Sequence, residues 1–254
     1  MTPDCGVRLK NDGPVATVTL CRPDVLNAQT PEMWAALRDI SRDLPGDVRV
    51  VVVRGEGRSF SAGLDLAIAG GSGDTSLAAL SQLSPDECAD RIAEIQAAFT
   101  WLRRPDLVTV AAVQGHAIGA GFQLALGCDM RVLADDASLS MAEVTLGLVP
   151  DLGGTKRLVD LVGYARALEI CVTGRRLGAA EAERIGLANV VVPADELDAA
   201  TDDLVAAVLA GARGAVVEIK ALLAGAGQRS YADQDRAERE AQTRRLRDLA
   251  GVGE

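Results

Sequence analysis

The stretch LVTVAAVQGHAIGAGFQLALGCDMRVLAD, residues 107–135, decides the fold. It opens with β-branched and small apolar residues, turns at Gly115, and meets two glycines flanking Ala120. An apolar, helix-like run follows, and MRVLAD (130–135) is strand-like again. Strand, helix and strand in this order predict an α/β fold with crossover connections. The strand segments are almost continuously hydrophobic, as expected where both faces of a strand are covered. Upstream, VATVTL (15–20) and VRVVVVRG (48–55) have the same texture, and PEMWAALRDISRDL (31–44) between them has apolar residues at helical spacing. From residue 151 the texture becomes mainly helical, interrupted only by NVVVP (189–193). Residues 67–86 are rich in Gly and Ser without clear periodicity, which predicts a mobile loop or a pocket lid.

A chain of 254 residues, 48% apolar, can bury a large core as one domain with an appendage. A net charge of −10 argues against non-specific nucleic-acid or anionic-membrane binding. No apolar run reaches membrane-spanning length, and MTPDCGVRLKNDG lacks the apolar centre of a signal peptide, so a soluble, cytoplasmic protein is expected. Cys5, Cys21, Cys88, Cys128 and Cys171 are scattered and fit reduced thiols better than a disulfide framework. His116 is the only histidine, which excludes chemistry needing two, and the sequence carries no metal-ligand cluster.

Three segments can carry chemistry. In SFSAGLDL (59–66), Gly63 permits a tight turn that leaves the Leu64 amide pointing outward; an ordinary strand-to-helix turn reads the same way. In GHAIGAGFQLALGCD (115–129), the first amides of a helix have no internal partners and suit a negative oxygen. Glycines serving tight helix packing, or a dinucleotide fingerprint, are the competing readings; the fingerprint fails at Leu124, where Gly or Ala is expected. In SLSMAEVTLGLVPDLGG (138–154), Glu143 and Asp151 lie in apolar company that would raise their pKa. A capping box from Ser140 to Glu143 and a helix N-cap at Asp151 are the structural alternatives. Together, two glycine turns and a desolvated carboxylate make the equipment for removing a proton beside a thioester carbonyl, with the enolate oxygen held by two main-chain N–H groups.

These segments, with RPDVLNAQT and GYARALEICVTGRRLGAAEAERIGLANVVVP, resemble the crotonase (enoyl-CoA hydratase/isomerase) superfamily in order and spacing from about residue 13 to about 225. The resemblance implies a spiral of ββα turns over 1–195 and a helical C-terminal region over 196–254 serving assembly and active-site cover. It also implies a homotrimer or a hexamer built as a dimer of trimers. An acyl-CoA thioester of fatty-acid metabolism is the implied substrate, with no metal and no redox cofactor. Leu64 and Ala120 resemble the oxyanion-hole donors. Gly119, the backbone around Asn27 and Ala28, and Ala62, Gly63 and Asp65 resemble the receivers of CoA, and Lys220 resembles a lysine near the CoA phosphates.

The chain departs from the family in three places. Hydratases carry two glutamates; the second matches Glu143, whereas the first matches Gln123, which orients water but cannot titrate. Asp151 stands where hydratases usually have a small residue and dienoyl-CoA isomerases have an aspartate. After AEREAQTRRL the chain reaches Glu254 without the long closing helix of many relatives. The expectation is an enzyme using Glu143 as acid/base, with double-bond isomerisation ahead of hydration because one hydratase acid is missing. Asp151 is a second carboxylate and Gln123 a polar, water-orienting group. A non-catalytic acyl-CoA-binding homologue is the reading from another class.

Overall fold

A computed structural model of the chain describes residues 5–71 and 76–252. The chain begins with strands β1 (Val7–Asp12) and β2 (Val15–Leu20), helix α1 (Pro31–Asp43) and strand β3 (Val50–Gly55). Two short helices, α2 (Leu66–Ala69) and α3 (Leu77–Leu80), precede the long α4 (Pro85–Thr100). The stretch that decided the fold becomes β4 (Val108–Val113), β5 (His116–Ile118), α5 (Ala120–Gly127) and β6 (Met130–Ala134). Then come β7 (Ser138–Ser140), α6 (Gly154–Val162), α7 (Tyr164–Thr173), β8 (Leu177–Gly178), α8 (Ala179–Arg184) and β9 (Val190–Val192). Helices α9 (Leu197–Ala210), α10 (Arg213–Ala226) and α11 (Tyr231–Leu249) complete the chain.

Six strands form one sheet in the order β1-β2-β3-β4-β6-β9, antiparallel only at the β1–β2 edge. A second, three-stranded sheet has the order β5-β7-β8, and a Ser61–Ala117 bridge extends it toward the end of β3. Successive turns therefore place one strand in the large sheet, a short strand in the small one, and a helix outside. This is the spiral of ββα units that the resemblance implies.

Period-two alternation explains why the strands read as unbroken apolar runs. Val51, Val53, Ala111, Val113 and Leu133 join the main core with α1, α4 and α5. Their neighbours Val50, Val52, Val110, Ala112 and Val132 face the other way, onto Leu197 and Val205 of α9. The helix that opens the C-terminal region thus covers the back of the sheet.

Several local expectations are corrected. Residues 67–86 are in part helical: Ser76 caps α3, and Ser84 and Glu87 form a reciprocal capping box at the start of α4, while Leu77, Leu80 and Ser81 line a cavity, as the lid alternative expects. The part of that segment at 72–75 lies outside the described residues. The second half also contains the two-residue β8, which is too short to give a periodic signal. Among the described residues no helix is long and apolar enough to cross a membrane.

Candidate active site

A cavity of about 760 Å³ opens between α1, α3, α4 and the start of α5. Ala62, Gly63, Leu64, Gly119, Ala120, Gln123, Glu143 and Asp151 all line it, although they come from four separate stretches of the chain. The spiral brings them together by stacking the turn after β3 on the turn after β5.

Gly63 has φ +89°, a region that favours glycine, and its Cα is pressed against the next turn. A methyl group there would lie 2.4 Å from Ile118 O and 3.5 Å from Ala120 N. Covalent geometry then keeps the Leu64 and Ala120 nitrogens within about 7 Å of each other. That bound includes the separations, up to about 6 Å, at which two donors can share one acceptor at roughly 3 Å each. Neither amide is used by the surrounding main chain. The ladder engages Gly63 O and Asp65 N through Gln29, and α5 starts at Ala120, whose N–H precedes the first helical bond.

Glu143 approaches from the opposite side, on a 3-10 helix spanning Ala142–Leu146. Its carboxyl lies against Gly119: a methyl group on that glycine would be 3.4 Å from Oε1 and 3.9 Å from Oε2. The Gln123 side-chain amide donates to Glu143 Oε1 at 2.7 Å, whereas Oε2 is buried with no protein partner. Burial raises the Glu143 pKa above the ordinary carboxylate value, and the Asp151 charge adds to the rise. Hydrogen bonds from its own main chain and from Gln123 oppose it. Burial also raises Asp151.

Gln123 is itself held at both its nitrogen and its oxygen. Its carbonyl oxygen accepts from the main-chain N–H groups of Leu152 (2.9 Å) and Gly154 (3.3 Å). With the amide nitrogen on Glu143, this buried side chain links α5, the carboxylate and the start of α6. Both alternatives at the two carboxylates fail. Ser140 Oγ donates to Gly174 O instead of capping, because the turn after it is 3-10 and not α-helical. Helix α6 begins after Gly153, beyond the reach of an Asp151 cap.

The remaining expected residues stand behind the cavity wall. Asn27 is fully buried at φ +55°; its side chain accepts from Arg22 N–H and donates to Glu56 O and Ser59 O. Asn27 O accepts from Ser61 Oγ, and Ala28 O from the Arg22 guanidinium, which also pairs with Asp65 at 2.9 Å. These groups, expected to receive CoA, are engaged inside the protein. Sequence reasoning missed the hub that links them. Ser61 Oγ also accepts from Gly63 N–H and Gln29, and Gln29 in turn accepts from the Trp34 indole. The clue was a buried-type polar set, NAQT and SFS, wedged between apolar runs.

Lys220 is not brought to the cavity. Its ammonium donates to Leu107 O at 2.6 Å and pairs with Asp129 at 2.7 Å, so it bolts α10 to the sheet. It is not a loose surface lysine either, its side chain being only 13% exposed. Lys220→Met is expected to cost about 1–3 kcal/mol of stability, since both partners are nearly buried. Chemical denaturation would show the loss, and calorimetry would show unchanged affinity for a CoA ester.

Comparison with known proteins agrees with this geometry. The family model for enoyl-CoA hydratase/isomerase matches residues 10–249. A Thermobifida fusca YX protein assigned to the enoyl-CoA hydratases has been solved in complex with CoA. That structure is 50% identical to this chain, covers 97% of it and 95% of its own length, and gives a TM-score of 0.90. The same protein with acetoacetyl-CoA gives 49% identity, 96% coverage of each chain and a TM-score of 0.91. Mycobacterium tuberculosis echA8, named as an enoyl-CoA hydratase, is 33% identical over 75% of this chain and 70% of its own. The peroxisomal Delta(3,5)-Delta(2,4)-dienoyl-CoA isomerase of Arabidopsis thaliana is 34% identical over 73% of this chain and 68% of its own. With spiral, cavity and matched span in agreement, the chain belongs to the enoyl-CoA hydratase/isomerase family, the crotonase superfamily.

Proposed function

We propose that the cavity takes an acyl-CoA thioester and that Glu143 moves a proton along its acyl chain. The thioester oxygen accepts from the Leu64 and Ala120 N–H groups. With a 3-enoyl-CoA, the Glu143 carboxylate removes a proton from C2. The C–H electron pair becomes the C1–C2 double bond of a dienolate, and the carbonyl π pair moves onto the oxygen held by the two amides; the C2–C3 double bond forms when C4 is protonated. The protonated Glu143 returns the proton at C4, giving the 2-enoyl-CoA. One carboxylate suffices for this reaction.

A single observation carries the reading. Glu143 presents one unpartnered buried oxygen beside Gly119, while Gln123 occupies the other and cannot titrate. Purified protein given 3-enoyl-CoA and 2-enoyl-CoA separately tests it; fast hydration lost in Glu143→Ala would overturn the preference for isomerisation. Hydration is the second reading; in it Asp151, a carboxylate on the same cavity whose charge reaches Glu143, serves as the second acid.

The pH profile separates the contributions. The rate should rise with pH as Glu143 ionises, on a limb above the usual carboxylate range. Gln123→Leu removes a hydrogen bond that favours the charged form, so that limb moves to higher pH. Asp151→Asn removes a neighbouring negative charge, so it moves to lower pH. The kcat/KM profiles of both variants, measured with one substrate, check the two opposite signs.

A further inference from the structure

The cavity extends from the proposed reaction centre into a cleft walled by Trp34, Ala35 and Arg38 of α1 and by Ile92 and Ile95 of α4. The first turn of α1 adjoins the Leu64 amide, because Gln29 pairs with Leu64. Arg38 stands seven residues beyond Pro31, about 10 Å further along the helix axis. A guanidinium thus lines the part of a mainly apolar cleft that lies away from the thioester.

One of its hydrogen bonds is unfilled, in a side chain that is 32% exposed. Arg38 Nε is buried and has no partner, and the nearest carboxylate oxygen, on Asp39, is 3.7 Å away, beyond hydrogen-bonding distance. The neighbouring Arg91, also on the cavity, differs: Glu94 holds it at 2.7 Å. A guanidinium stays charged at any working pH, and an apolar chain laid against it would strip its water without replacing the lost bonds. A planar anionic acceptor would complete it in fork geometry.

We propose that Arg38 receives a carboxylate at the far end of the acyl chain, so that the preferred ligands are acyl-CoA thioesters bearing a second, distal carboxyl group. This deepens the reading of the cavity as an acyl-CoA site and rests on it.

Calorimetry with saturated acyl-CoAs of about four to ten carbons, each paired with its ω-carboxy counterpart, tests the assignment without turnover. At one length or more, the wild-type protein should bind the ω-carboxy ester roughly tenfold tighter, as expected for a charge-assisted pair. Arg38→Met should abolish that preference and leave the plain ester within about twofold, whereas Arg91→Met should keep it. If Arg38→Met does not fold, Arg38→Lys should retain a reduced preference, and the wild-type series still decides. Absence of any preference in the wild-type protein overturns the proposal. So does an equal loss of both series and of free CoA in Arg38→Met, which would put the guanidinium on the CoA phosphates. If plain esters bind and turn over without preference, this proposal alone falls; if neither series binds, the acyl-CoA reading falls with it.

Discussion

Glutamine in place of Glu143 is expected to lower kcat by about 10²–10⁴-fold, the range for losing a positioned general acid/base. Affinity for a saturated CoA ester should hardly change. The substitution keeps the side chain's shape and an oxygen for the Gln123 amide, which now donates to Glu143 Oε1. What disappears is the capacity of the second, unpartnered oxygen to accept and return a proton. Single-turnover assays beside calorimetric binding separate the two effects. Full turnover in this variant would move the proton to another carrier, and Asp151 would be the first to examine.

The second large effect should come from a residue with no side chain. In Gly63→Ala the new methyl group would meet Ile118 O at 2.4 Å, at a φ of +89° where L-residues are strained. The backbone strain alone costs about 1–3 kcal/mol. Relief requires the turn to draw away from α5, which separates the Leu64 and Ala120 amides. A folded variant should lose about 10²–10³-fold in kcat, as when one oxyanion donor is removed. Its pH limb should stay in place, because the surroundings of Glu143 are untouched. Thermal unfolding and a pH–rate profile together check this. Unimpaired kcat in a stably folded variant would exclude the Leu64 amide as a donor.

How much of this was legible in the sequence depended on the range of the interaction. Strands β2, β3, β4 and β6 could be read because each is an apolar run bounded by turn residues. The glycines at 63 and 119 and the carboxylate at 143 could be read because each announces itself locally, by conformation or by contrast with its neighbours. Residue 220 could not, because its partner Asp129 lies 91 residues away and no local pattern signals it. The Ser140–Glu143 spacing left an alternative open for a related reason. A capping box presumes an α-helix, whereas a tighter 3-10 turn begins at Ala142, and Ser140, at the end of β7, bonds across to Gly174. Asn27 was found through its backbone, but the task of its side chain was not legible. Its three side-chain hydrogen bonds serve the turn that shapes the cavity, and their partners lie up to 32 residues away.

The threefold attachment of Gln123 has an evolutionary consequence. Glutamine and glutamate differ by one terminal group, and two main-chain donors already wait for an oxygen at this position. A descendant that acquired the acid would therefore inherit a ready cradle for one of its oxygens. The other would sit 2.7 Å from its neighbour's carboxyl, a spacing that obliges the pair to hold a proton in common. The exchange of glutamine for glutamate at this position is thus a single-codon step at a site whose cradle is already built.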